Sequence, residues 1–411
     1  MTSSVVIEQL PNGLTVIVEP VSGVESVAYQ LMIPGGWVFE SEDLQGGVMI
    51  LAELTSRGVE NLDARELSDA FDRLGARHSE SVGSEHFSYG GMCLSQEFPE
   101  ALRLTALEVL NPTLPEHEIA PIQSLLIQDI NSLPDSPSRK VMHDLYAGYF
   151  PKPYNRSSLG TVAGIEKTTK SHLQALHQTM FSPQGAVFSV AGKVEIAQAL
   201  SHVKKLFGNW SGQKNTQPTF GKVASSGYQH INVDSAQLQI ALAYPSAPFG
   251  HPDYYAAKVA SSILSGGMFG RVFVEVREKR GLVYSVSARH SANKDYGVVV
   301  AYAGTTPERA QETLDVLVAE LRNLPGTIKN EELSRAKTTI KSSLVLGEES
   351  TASRAASNAQ DFWIGKRVRP FEEIMANIEA VQAKDIDTLC QHFPADKFYL
   401  TTLGKSELTI K

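Results

Sequence analysis

The chain has 411 residues, 42% of them hydrophobic and 20% charged, which suits two or three globular units with large cores and excludes extensive disorder. Its 37 basic and 45 acidic residues give a net charge of -8, the wrong sign for a nucleic-acid-binding surface. No apolar run approaches the roughly eighteen residues that a membrane helix needs.

Residues 1–8 show neither the basic start nor the apolar core of a leader, so a cytoplasmic protein is expected. A strand-like run at 26–33 leads through Pro34, Gly35 and Gly36 to Asp43. A small-residue helix pattern at 47–54 follows, and Ser56, Arg57 and Gly58 close it. Gly75 to Ser79 open a strand pair with a turn, flanked by His78 and His86, which read as packed or exposed histidines. Cys93 lies far from Cys390, the second cysteine, and the two form neither a CxxC motif nor a disulfide framework. Pro99 and Glu100 begin an amphipathic helix, where a first-turn proline and an early carboxylate are both favoured.

Residues 212–228 are polar and rich in breakers, as linkers are. Beyond them the order repeats at a nearly constant offset. A strand at 237–244, a loop to Asp253, a helix at 254–264, a strand pair opened by Gly281 and a helix started by Pro307 and Glu308 match their counterparts in the first half. The fold expected is α+β: two homologous domains, 1–211 and 229–411, each a mainly antiparallel sheet flanked by helices and related by internal duplication. Gly266, Gly267 and Gly270 lack the Lys-Ser/Thr of a phosphate loop, and Lys366, Arg367 and Arg369 read as solvated loop charge.

The stretch 263–286 is the most informative. It carries Gly266-Gly267-Met268-Phe269-Gly270, then Arg271-Val272-Phe273, then Arg277-Glu278-Lys279-Arg280-Gly281-Leu282-Val283-Tyr284. On spacing alone, Arg277 is a solvated helix residue and Tyr284 a core aromatic. The stretch resembles the C-terminal signature of the insulinase/pitrilysin family of zinc peptidases. Asn12 to Ile17, like that family's opening strand, and 378–386, like its late helix, extend the likeness over most of the chain. The resemblance implies that Arg277 and Tyr284 project into a peptide-binding cavity. There a guanidinium and a phenol can hold a substrate carbonyl and stabilise a developing oxyanion.

Active members of that family carry HxxEH on the first helix of the N-terminal domain. Two imidazoles at i and i+4 bind zinc, and the glutamate between them is the general base. The corresponding positions here are Met49, Ala52 and Glu53, and no histidine precedes His78. The family's third ligand falls near Asp129. Two carboxylates without imidazole are a poor zinc site, so no cofactor is expected in this chain.

Keeping the Arg/Tyr pair without the ligands resembles the non-catalytic subunit of a bacterial two-subunit peptidase. That likeness implies a heterodimer with a homologous, zinc-bearing subunit, acting on unfolded peptides bound as an added strand. Two alternatives stand beside it: a structural scaffold subunit, and a homodimer that binds peptides without cutting them.

Overall fold

The structure is a computed structural model that describes residues 5–213 and 215–410. The strands among the described residues are β1 (Val6–Gln9), β2 (Thr15–Pro20), β3 (Ser26–Pro34), β4 (Gly58–Val59), β5 (Leu62–Asp63), β6 (Arg77–Val82), β7 (His86–Leu94), β8 (Val187–Gly192), β9 (Gly227–Asn232), β10 (Leu238–Ser246), β11 (Val283–Ala292), β12 (Gly297–Thr305) and β13 (Tyr399–Gly404).

The first large sheet runs β6-β7-β3-β8-β2-β1 and the second β11-β12-β10-β13-β9. In each, a hairpin pairs with a central strand, which pairs with a strand from late in its half and then with an early one. The early and late strands are parallel, β2 with β8 and β9 with β13; the other pairs are antiparallel. The same order in both sheets is the duplication in three dimensions, with β1 as an extra edge strand.

Two compact units result, and they do not coincide with the halves 1–211 and 229–411. The first comprises residues up to Ser132, Arg156–Thr219 and Gly347–Val368; the second Leu133–Asn155, Phe220–Leu346 and residues from Arg369 onward. Each sheet is apolar on both faces, so each needs a second cover. In the first unit the helix Thr351–Gly365 supplies it. Ala355 packs between Ala28 and Ala191, and Ala359 against Ile17, Met32 and Val187. Glu19, 5% exposed on β2, receives Arg354 and the Asn358 amide, the latter at 2.7 Å. In the second unit the helix Pro137–Tyr149 lays Val141, Leu145 and Tyr149 on Ala241, Ala243 and Leu403.

Most expected elements appear, with local differences. Pro307 opens a 3-10 turn ahead of the helix Ala310–Arg322. The 378–386 stretch straddles the end of one helix, Phe371–Ala380, and the start of another, Ala383–His392. Arg369, expected to be loop charge in solvent, instead lies 4.5 Å from the Phe249 ring and donates to the Tyr255 hydroxyl at 3.2 Å. Cys93 and Cys390 are free thiols. Among the described residues no helix is long and apolar enough to cross a membrane.

Candidate functional site

The helix Gly47–Thr55 carries the positions where zinc ligands would be sought. Its N-terminus is held by Glu40, whose carboxylate accepts the N–H groups of Gly46 (3.1 Å) and Val48 (2.8 Å). Arg156 braces the approach by donating to the carbonyls of Trp37, Val38 and Glu40. Burial pushes the Glu40 carboxyl up to about 7, although those N–H groups and Arg156 draw it down. Val48, Ile50, Leu51 and Leu54 are buried, which makes the helix a core element.

Met49 and Glu53 sit half-buried one turn apart, and Ala52 is 5% exposed. Glu53 is ion-paired to Arg57, and Ser56 donates to Glu80 on β6 at 2.8 Å. The helix packs on the helix Glu116–Ser132, which carries Asp129, half-buried and itself engaged in a polar interaction. A thioether, a methyl group and a carboxylate already taken by arginine do not make a zinc site. Among the described residues no group of three His, Cys, Asp or Glu side chains is arranged to hold a metal ion.

Behind this helix lies an acidic group that sequence patterning does not reveal. Glu108, on the helix Phe98–Leu110, is 2% exposed, and its Oε1 meets no hydrogen-bond donor. Burial first, and then the charge of Glu80, push its carboxyl up to about 8. Tyr89 beside it is joined to Thr55 at 2.9 Å. A glutamate inside an amphipathic helix reads as a solvent-facing residue, and only the tertiary packing places it inside.

His78 and His86 are packed side chains. His78 stacks on Phe71 at 3.9 Å, and His86 lies 5.2 Å from Trp363, where burial lowers it to about 4. A cavity of about 890 Å³ in the first unit is lined by Phe98, Lys193, His202 and Arg354 among others, and includes none of the positions singled out here.

Arg277 and Tyr284 are brought together at the surface of the second unit. The chain from Phe273 to Glu278 is a π-helix, marked by the bond from Lys279 N–H to the Val274 carbonyl at 2.9 Å. Gly281 then takes φ +59, a left-handed turn that a side chain would strain, and delivers the chain to β11. At Tyr284 the β11–β12 register slips, because Val283 faces Thr305 while Ser285 faces Gly304. Such a bulge re-aims a side chain. Tyr284 is 82% exposed, which corrects the core-aromatic reading that spacing suggests. Its ring centroid lies 5.3 Å from the guanidinium of Arg277, itself exposed, and Phe273 lies 4.9 Å from the same group.

The turn is braced on several sides. Arg271 forks onto Glu332 (2.8 and 2.9 Å) and reaches the Thr327 hydroxyl and carbonyl; Glu275 takes Lys279 and Arg280; Arg309 donates to the Gly281 carbonyl at 2.6 Å. Met268 and Phe269, both 66% exposed, lie in the preceding glycine-rich loop, with Arg335 over the Phe269 ring.

Comparison with known proteins identifies the family and the fold. Residues 15–162 match the family model described as insulinase (peptidase family M16), and 167–340 match that of the peptidase M16 inactive domain. An uncharacterized zinc protease of Rickettsia felis is 27% identical over 383 residues, 92% of each chain. One of Bacillus subtilis is 26% identical, spanning 96% of this chain and 97% of its own. Among solved structures, a peptidase M16 inactive domain from Pseudomonas fluorescens superposes with a TM-score of 0.88 at 19% identity over 99% of both chains. A Helicobacter pylori protease gives the same TM-score and identity over 98% of this chain and 100% of its own. These two likenesses establish the fold. Together, the two adjacent family matches place the chain in the insulinase family, peptidase family M16.

Proposed function

We propose that this chain is the zinc-free subunit of a two-subunit peptidase and supplies Arg277 and Tyr284 to a chamber in which a homologous, zinc-bearing partner cuts unfolded peptides. The observation that carries this reading is a contrast within one chain. The helix Gly47–Thr55 offers Met49, Ala52 and Glu53 where two imidazoles and a base would be needed. The Arg277/Tyr284 pair is exposed, with an aromatic platform and, among the described residues, no hydrogen-bond acceptor holding the guanidinium.

On this reading the two residues bind and orient. The guanidinium presents several N–H donors in a plane, and the phenol presents one O–H, so together they can grip a peptide carbonyl and favour the negative charge that grows on it. Such donors act best when fixed before substrate arrives. The cytoplasmic location and the absence of a cofactor in this chain belong to the same proposal.

The test is reconstitution. The chain is purified with and without a homologue that bears HxxEH, and hydrolysis of fluorescein-labelled casein is followed. The mixture should cut, and the chain alone should not. Arg277→Ala and Tyr284→Phe should each lower turnover of the mixture by about 10²-fold, the scale of one lost oxyanion donor, with the thermal midpoint unchanged. EDTA-sensitive cutting by this chain alone, or full turnover in both variants, would refute the proposal.

A further inference from the structure

We infer that Phe273 is a positioning residue for Arg277: its ring is one half of an aromatic sandwich that fixes the guanidinium plane so that the hydrogen-bond fork points outward. The inference rests on the proposed role of Arg277 and names what prepares it.

Three observations lead there. The guanidinium carbon lies 4.9 Å from the Phe273 ring centre and 5.3 Å from that of Tyr284, both within the roughly 6 Å reach of a cation–π contact. Among the described residues no carboxylate or carbonyl accepts from Arg277; Glu275, one of two acids on the same turn, is taken by Lys279 at 2.5 Å and Arg280 at 2.8 Å. The third is backbone geometry. Phe273 and Arg277 lie in the π-helix and Tyr284 at the bulge, with the left-handed Gly281 between them.

The physical consequence is specific. Stacking engages the faces of a guanidinium and leaves its N–H groups free in the plane, whereas an ion pair would consume them. A fork held this way loses less freedom when it meets a carbonyl or carboxylate than a loose arginine would. The preceding Arg271, anchored to Glu332 and Thr327, fixes the start of the same turn.

Phe273→Leu keeps an apolar side chain and removes the ring; Phe273→Tyr keeps the ring. Two measurements separate this inference from the proposed function. Reaction of Arg277 with phenylglyoxal, mapped by mass spectrometry on the isolated chain, should quicken about two- to five-fold in the Leu variant and stay at the wild-type rate in the Tyr variant. In the reconstituted enzyme, the Leu variant should raise KM for labelled casein by a similar factor, and Tyr should restore it. Equal phenylglyoxal rates in all three chains overturn the positioning role even if Arg277→Ala abolishes cutting. Faster modification in the Leu variant alone supports it even if Arg277→Ala proves silent in hydrolysis.

Discussion

Glutamine at position 108 gives the sharpest test of how the first unit is built. Glu108 is 2% exposed, and burial together with the charge of Glu80 moves its carboxyl from 4.5 to about 8. A carboxyl raised on folding favours the folded state while it is protonated. Its penalty therefore appears as pH climbs above 4.5 and is complete once pH passes about 8. At about 1.4 kcal/mol per pH unit, that window corresponds to at most about 5 kcal/mol, which relaxation and water entry reduce to about 2–4 kcal/mol. Glu108→Gln keeps the shape and cannot ionise. It should match the wild type near pH 4 and exceed it by about 2–4 kcal/mol near pH 9. Glu40, raised to about 7, slopes both proteins alike and cancels in the difference. The assay is urea unfolding followed by tryptophan fluorescence, which reports this unit alone because Trp37, Trp210 and Trp363 all belong to it. Stability curves that run parallel from pH 5 to pH 9 would show that Glu108 is hydrated and the reasoning wrong.

Two further outcomes follow from the same geometry. Arg271→Ala strands Glu332, whose carboxyl is held below its usual range first by hydrogen bonds from Arg271. The variant should lose about 2–3 kcal/mol at neutral pH. The deficit should shrink as pH falls through the depressed value, because protonation removes the wild-type advantage; a loss that stays constant down to pH 3 would contradict this. Met49→His combined with Glu53→His places two imidazoles one turn apart on a half-buried face. Calorimetric titration with Zn²⁺ should show binding at least about tenfold tighter than any by the wild type, a difference of about 1.4 kcal/mol. Equal affinities would mean that the two positions do not share a metal-accessible face.

The amino-acid pattern goes far for the fold and stops short at the site. Periodicity and breakers place β3, the helix Gly47–Thr55, β10 and the helix Tyr254–Ser265 nearly to the residue, because each has apolar positions at the spacing its geometry demands. They cannot show that Leu133–Asn155 joins the second unit and Gly347–Val368 the first. That choice depends on which sheet face lacks a cover, a property of the assembled layers. At the site, Arg277 and Tyr284 stand out through motif likeness, yet their meeting depends on a π-turn and a bulge, which have no periodic signature. Glu40 and Glu108 are silent for the opposite reason: their residue type belongs on the surface, and only packing puts them inside.

The two halves differ in what their singled-out segments do for the fold. The helix Gly47–Thr55 serves the core, and its buried Val48, Ile50, Leu51 and Leu54 repay that role in apolar burial. The Arg277 turn also feeds its core, through Val272, Val276, Leu282 and Val283, but Arg277 and Tyr284 themselves stand outside it. An 82% exposed tyrosine buries little, and the bulge and π-turn interrupt otherwise regular backbone. A fold indifferent to this segment would be served as well by a plain α-helix running into an unbulged strand with a polar residue at 284. Local geometry that stability does not explain is best explained by contact with something outside the chain. On the proposed function that something is an extended peptide, whose carbonyls are the acceptors that the guanidinium lacks among the described residues.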